Sequence, residues 1–242
     1  GHARDAFWRW VADWSMSIRK PSDIGFDDSR YVLPQLHVRQ NVVQNTKPLV
    51  IDGQTSLFAL EAQNLKEINA ESSATIRERC EMAVQVATPF DTSVYWCNRN
   101  LEAELIGKID KDAVEVKGSM NVDKKEEILL AFADGQIKKL ITKASITAFG
   151  LNWQHCNHTT YFPTYSYEQW YQAIRRFWRF GQTREVYADM VLSDGQTKLL
   201  RSLSEKMDKA DQMFGILTTM TQGGETATAT KPTKEIVLPK FI

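Results

Sequence analysis

From Thr88 onwards the apolar positions alternate between short runs and helical stripes. Ser93-Val94-Tyr95-Trp96-Cys97 is a short buried strand, and a helix is predicted from about Asn100 to Lys108. Strand 113–117, helix 122–133 and strand 138–142 follow, then strand 159–162, helix 166–180 and strand 186–192. Strands and helices alternating at this spacing predict βαβ units, hence an α/β fold with a parallel sheet covered on both faces. Right-handed crossovers place the loops after the strands along one edge, where such sheets bind ligands.

The first third reads differently. Phe7, Trp8, Trp10, Val11, Trp14 and Ile18 predict an amphipathic helix over residues 5–18 whose aromatic face needs a partner. Residues 21–35 read as loop, His37 to Val43 as a strand, and 55–87 as one or two helices without a catalytic signature. A closing helix is expected over 196–217 and a flexible linker over 221–235, and residues 236–242 have the pattern of a docking strand.

Length and composition narrow the class. A chain of 242 residues fits one good-sized α/β domain plus appendages. Its formal net charge is zero, so no global field draws it to nucleic acid or membrane and any basic surface must be local. Lys138, Lys139 and Lys143 with Arg175 and Arg184 are candidates for such a patch; taken as scattered surface charge they mean nothing. Three widely separated cysteines, Cys80, Cys97 and Cys156, argue against a disulfide framework. With no apolar run of membrane-spanning length, a cytoplasmic protein is the expectation. His155-Cys156-Asn157-His158 lacks the second cluster a zinc site needs, so no metal is expected there. The aromatic group around Tyr161, Phe162 and Trp170 reads as packing rather than base stacking.

The candidate chemistry lies in the stretch from Gln169 to Arg179. On a helical wheel at about 100° per residue, Gln169, Gln172, Arg176 and Arg179 share one sector. Trp170, Ala173, Ile174, Phe177 and Trp178 lie opposite, and Gly181 reads as a left-handed cap. A guanidinium is a rigid, permanently charged fork suited to phosphate oxygens. Such a finger raises phosphoryl-transfer rates by roughly 10³–10⁵.

The string Gln172-Ala173-Ile174-Arg175-Arg176-Phe177-Trp178-Arg179-Phe180-Gly181-Gln182 resembles the last motif of superfamily-two helicases. It is closest to the Swi/Snf-like form Q-A-x-x-R-x-x-R-x-G-Q, and every fixed position is present. Upstream, Ile141 to Trp153, ending Gly150-Leu151-Asn152-Trp153, resembles the motif that precedes the finger helix, although Ala144, Thr147 and Ala148 stand where that motif has threonine and glycines. The strand ending Cys97-Asn98-Arg99 resembles the motif that opens the second lobe, and in detail the chain is most like phage and prophage helicases.

The resemblance implies a RecA-like second lobe of the P-loop NTPase type. Residues 1–45 would be the tail of a first lobe and the inter-lobe linker, 46–90 a helical connector, 91–220 the RecA-like domain and 221–242 a flexible tail. It implies Arg176 and Arg179 as arginine fingers with Gln172 orienting them, and Gly150 and Asn152 near the nucleotide. Asn98, Arg99, Thr142 and Ser145 would meet nucleic acid, most simply double-stranded DNA. ATP and Mg²⁺ would be bound mainly by the first lobe, since neither G-x-x-x-x-G-K-S/T nor D-E-x-H/D occurs in the sequence. The chain alone is therefore expected not to hydrolyse ATP. A different class, a non-catalytic nucleic-acid-binding or protein-interaction module that kept the fold, stays open.

Overall fold

A computed structural model describes residues 5–29, 31–46, 49–51, 54–56, 64–146 and 151–223. Its strands are β1 (Leu36–Val43), β2 (Leu49–Ile51), β3 (Gln54–Ser56), β4 (Ser93–Trp96), β5 (Ala113–Glu115), β6 (Lys139–Thr142), β7 (His158–Tyr161) and β8 (Val186–Ser193). Its α-helices are α1 (Asp5–Ala12), α2 (Leu65–Ala74), α3 (Ile76–Ala87), α4 (Asn100–Ile109), α5 (Val122–Ala133), α6 (Tyr167–Ile174) and α7 (Thr197–Gly223). Six strands form one sheet in the order β1-β8-β7-β4-β6-β5, and every neighbouring pair is parallel. Helices flank it, which is the α/β architecture the sequence pattern predicts.

The period-two alternation of β4 decides which side chain goes to which face. Val94 and Trp96 enter one core with Leu140, Tyr161 and Met190, covered by α5, α6 and the start of α7 through Leu129, Phe132, Trp170 and Leu203. Tyr95 and Cys97 enter the opposite core with Ile141, Phe162 and Val191, covered by α3 and α4 through Cys80, Ala83 and Ile106. Burial on both faces is what a parallel sheet requires, and it pushes the thiol of Cys80 up to about 12 and that of Cys156 up to about 11. Short polar side chains start the helices: Asn64 accepts the backbone N–H groups of Lys66 and Glu67, and Ser166 accepts that of Gln169.

A polar seam runs across four strands at one end of the sheet. Ser93 Oγ lies 2.8 Å from His158 Nδ1, and His158 Nε2 lies 2.9 Å from Asp189 Oδ2. Arg39 and Asn41 on β1 each donate to Asp189 Oδ1 at 2.8 Å. A carboxylate only accepts, so His158 carries its proton on Nε2 and takes the Ser93 hydroxyl proton at Nδ1. Burial, partly opposed by Asp189, lowers the His158 pKa. Burial pushes Asp189 up, but hydrogen bonds from His158, Arg39 and Asn41 outweigh it and leave its pKa lowered.

The chain divides into two compact units, Gly1–Tyr31 with Asp208–Ile242, and Val32–Met207. In the first, Trp10 and Trp14 meet edge-on at 5.4 Å and Arg19 pairs with Asp211 at 3.1 Å. The second holds the whole sheet, so the domain boundaries read from sequence shift. β1, expected in the linker of residues 1–45, is the sheet's edge strand, and α3, expected in the connector of 46–90, packs on β7 and β8. The helix expected from residue 55 is preceded by a β2–β3 hairpin that runs to Ser56. The expected first helix, 5–18, stops at Ala12. The docking strand expected over 236–242 and most of the linker expected over 221–235 lie outside the described residues.

Candidate functional site

The expected helix 166–180 ends at Ile174. Beyond it the backbone tightens: Phe177 N–H reaches the Ile174 carbonyl and Gln182 N–H the Arg179 carbonyl, three residues back. The Arg176 carbonyl, which would have continued the helix, instead accepts the N–H of Trp153 at 3.0 Å. A tertiary hydrogen bond thus replaces a helical one. Gln169 and Gln172 stand on α6, whereas Arg176 and Arg179 reach their places on successive turns beyond it. Gly181 does adopt the left-handed conformation, φ +93°, but it closes these turns rather than the helix.

The two arginines still converge. Arg176 Nη1 donates to the Leu151 carbonyl at 3.4 Å, and its guanidinium lies 5.2 Å from the centre of the Trp153 ring. Arg179 donates to Asn152 Oδ1. Both charges are therefore gathered on Leu151-Asn152-Trp153, the end of the upstream motif. Burial and then the adjacent Arg179 charge lower the Arg176 pKa. Two guanidinium forks held side by side have the geometry that suits phosphate oxygens. Arg175 points elsewhere, stacked over Tyr171 at 5.1 Å and Trp178 at 4.7 Å. Gln172 is exposed and donates along the helix to Glu168 at 3.0 Å; it is not brought to the arginines by that bond. Gly150 lies outside the described residues.

Sequence reasoning gave Gln182 no role, yet it is the keystone of the turn. Its Nε2 lies within hydrogen-bond reach of the carbonyls of Gln154, Cys156 and Phe177, and its Oε1 accepts the N–H groups of Thr183 and Arg184. The sequence signal was available: an amide at the last fixed position of the motif, directly after the left-handed glycine.

A second feature lies at the carboxyl ends of β5 and β6. A cavity of about 380 Å³ is lined by Lys117, Gly118, Ser119, Thr142, Lys143 and Ser145, among others. Thr142 is buried, and its hydroxyl has no hydrogen-bond partner among the described residues. Ser145 is exposed, and Lys143 donates to Asn100 at 2.6 Å. Thr142 and Ser145 both line this cavity. Asn98 and Arg99 do not line this cavity. Asn98 Nδ2 donates to the Phe162 carbonyl at 2.9 Å, and Arg99 is spread over Ser73 and Asn69 of α2. The basic patch proposed from sequence does not assemble: Lys139 begins β6, and Lys143 follows its last residue, Thr142. Lys139 instead pairs with Asp110 at 3.0 Å and Arg184 donates to the His155 carbonyl.

Residues 79–181 match the family described as the helicase conserved C-terminal domain. Among solved structures the chain is similar to the C-terminal part of the Fun30 ATPase domain, with 15% identity and a TM-score of 0.45 over 58% of this chain. It covers 54% of that structure's chain, about half its length. It is also similar to the C-terminal domain of the DEAD-box protein Dbp5, with 15% identity and a TM-score of 0.46, covering 59% of this chain and 91% of that one. No curated protein sequence matches. The matched stretch begins within α3 and ends at Gly181, so it spans both arginines and the cavity-lining residues. Among the described residues, no helix is long and apolar enough to cross a membrane.

Proposed function

We propose that this chain supplies the second lobe of an ATP-driven, DNA-translocating motor. Arg176 and Arg179 complete an ATP site whose phosphate cradle and Mg²⁺ ligands lie on a first RecA-like lobe. The observation that carries the reading is the like-charged pair gathered on Leu151–Trp153, with the Arg176 pKa lowered by burial and by Arg179. As negative charge builds on the γ-phosphate oxygens, two preorganised guanidinium groups stabilise it without rearranging. The two guanidinium forks fit phosphate oxygens. Gln172, Gly150 and Asn152 serve the nucleotide edge, Asn152 by fixing the Arg179 fork. Thr142 and Ser145, with Lys117 and Lys143, offer hydroxyl and ammonium groups to a backbone phosphate of double-stranded DNA at the cavity. Asn98 and Arg99 act one step back, holding the turn after β4.

The test is Arg179→Ala in the full-length protein. ATP turnover is expected to fall by roughly 10³-fold, with affinity for duplex DNA unchanged. Turnover equal to wild type would refute the finger assignment. The chain by itself is expected to bind DNA weakly and to release no phosphate from ATP.

A further inference from the structure

Trp178 lies between the two arginines in sequence, and nothing above explains its indole nitrogen. That N–H donates to the Pro34 carbonyl at 2.7 Å. The ring packs against the core shared by β4, α5 and α6, and Arg175 covers it at 4.7 Å. Pro34 stands just past Val32, where the sheet-bearing unit begins, and directly before Gln35, whose carbonyl accepts the Val186 N–H at 3.0 Å. Its pyrrolidine ring fixes φ, so the acceptor sits on a stiff stretch of backbone. The middle of the arginine turn is therefore fastened to the segment through which the chain enters the sheet.

We propose that Trp178 is a positioning residue that couples the orientation of Arg176 and Arg179 to the path of residues 32–35. This rests on the reading of the two arginines as phosphate ligands. The turn's other anchors described above, the Trp153–Arg176 backbone bond, the arginine bonds to Leu151 and Asn152 and the Gln182 amide, tie it to residues 151–156 and to itself. The indole bond is its link to the start of β1. Loss of that bond lets the turn's centre shift while the core beneath stays packed, so phosphate affinity falls and folding is largely kept.

The experiment titrates the full chain with inorganic tripolyphosphate and follows the Nε–Hε NMR signals of Arg176 and Arg179. Trp178→Phe keeps an aromatic ring beneath Arg175 and removes the donor. β-(3-Benzothienyl)alanine at the same position keeps the whole ring volume and also removes it. Both are expected to weaken tripolyphosphate binding about 2- to 10-fold, the range that one neutral hydrogen bond is worth. Both are also expected to move the two arginine signals before any ligand is added. Weakening by Phe alone would trace the effect to ring volume and overturn the proposal, as would unmoved arginine signals in both variants. The Arg176→Ala/Arg179→Ala double variant separates the two ideas. If it binds tripolyphosphate as wild type does, the phosphate reading fails. The ligand-free signals of the Trp178 variants still decide whether the tether exists.

Discussion

The pair Arg79–Glu102 offers a quantitative test of what holds the turn after β4. Both side chains are 2% exposed, and their charged ends meet at 3.0 Å. Glu102 does more than pair: its second oxygen accepts the N–H groups of Asn98 at 2.9 Å and Arg99 at 3.0 Å, at the amino end of α4. Arg79 also donates to the Ser72 carbonyl at 2.7 Å and lies 5.0 Å from the centre of the Phe162 ring. Removing one partner of a buried pair costs about 3–5 kcal/mol because the other charge is left in low dielectric. The two halves should not cost the same. Arg79→Leu leaves a carboxylate that keeps two N–H donors at the positive end of a helix, so its cost belongs at the lower end, about 3 kcal/mol. Glu102→Leu strands a guanidinium and strips both N–H groups of their acceptor, so its cost belongs at the upper end, about 5 kcal/mol. The double variant buries two apolar groups and leaves only the N–H groups short, about 2 kcal/mol, where additivity would give about 8. The chain has two compact units, so the reading must come from the right one. The denaturant dependence of hydrogen exchange at Val94, Tyr95 and Trp96 reports the sheet alone. Costs that add to within about 0.5 kcal/mol would refute the reasoning.

The remaining predictions concern stability. A methyl group at Gly195 would lie 2.7 Å from Glu71 Cδ, and Glu71 is buried at 1% exposure, so Gly195→Ala should destabilise by about 1–3 kcal/mol; an unchanged denaturation midpoint would count against this packing. The polar seam fixes the sign of an acid effect. His158 has a folded pKa below its ordinary 6.5, so the unfolded chain takes up a proton first, and stability falls as pH drops below 6.5 towards the folded value. Asp189 adds stability that is present above its ordinary 3.8 and is lost as pH falls through its lowered folded value. Stability curves of His158→Gln should be flatter than wild type just below pH 6.5, with a remaining slope from His155, whose pKa burial also lowers; an identical slope in both proteins would show that His158 does not titrate in this window.

Much of this protein could be read from its residues in order. Strand spacing from Ser93 onwards carried the parallel sheet, because apolar runs with helical stripes between them have few other ways to bury both faces. The spacing of Gln172, Arg176, Arg179, Gly181 and Gln182 singled out a turn, and in it Arg176 and Arg179 both bond to the segment Leu151–Asn152. What one-dimensional pattern missed depends on contacts across long separations. Past Ile174 the backbone tightens into three-residue turns and Trp153 takes the Arg176 carbonyl, an interaction 23 positions apart in sequence that no local propensity encodes. β1 joins the sheet because Arg39 and Asn41 find Asp189, some 150 positions away. Lys139 and Lys143 part company along β6, Lys139 at its start and Lys143 after its last residue. Periodicity reports which side of an element is apolar; which partner satisfies each buried donor and acceptor is decided only when distant segments come together, since that choice is made by geometry in three dimensions.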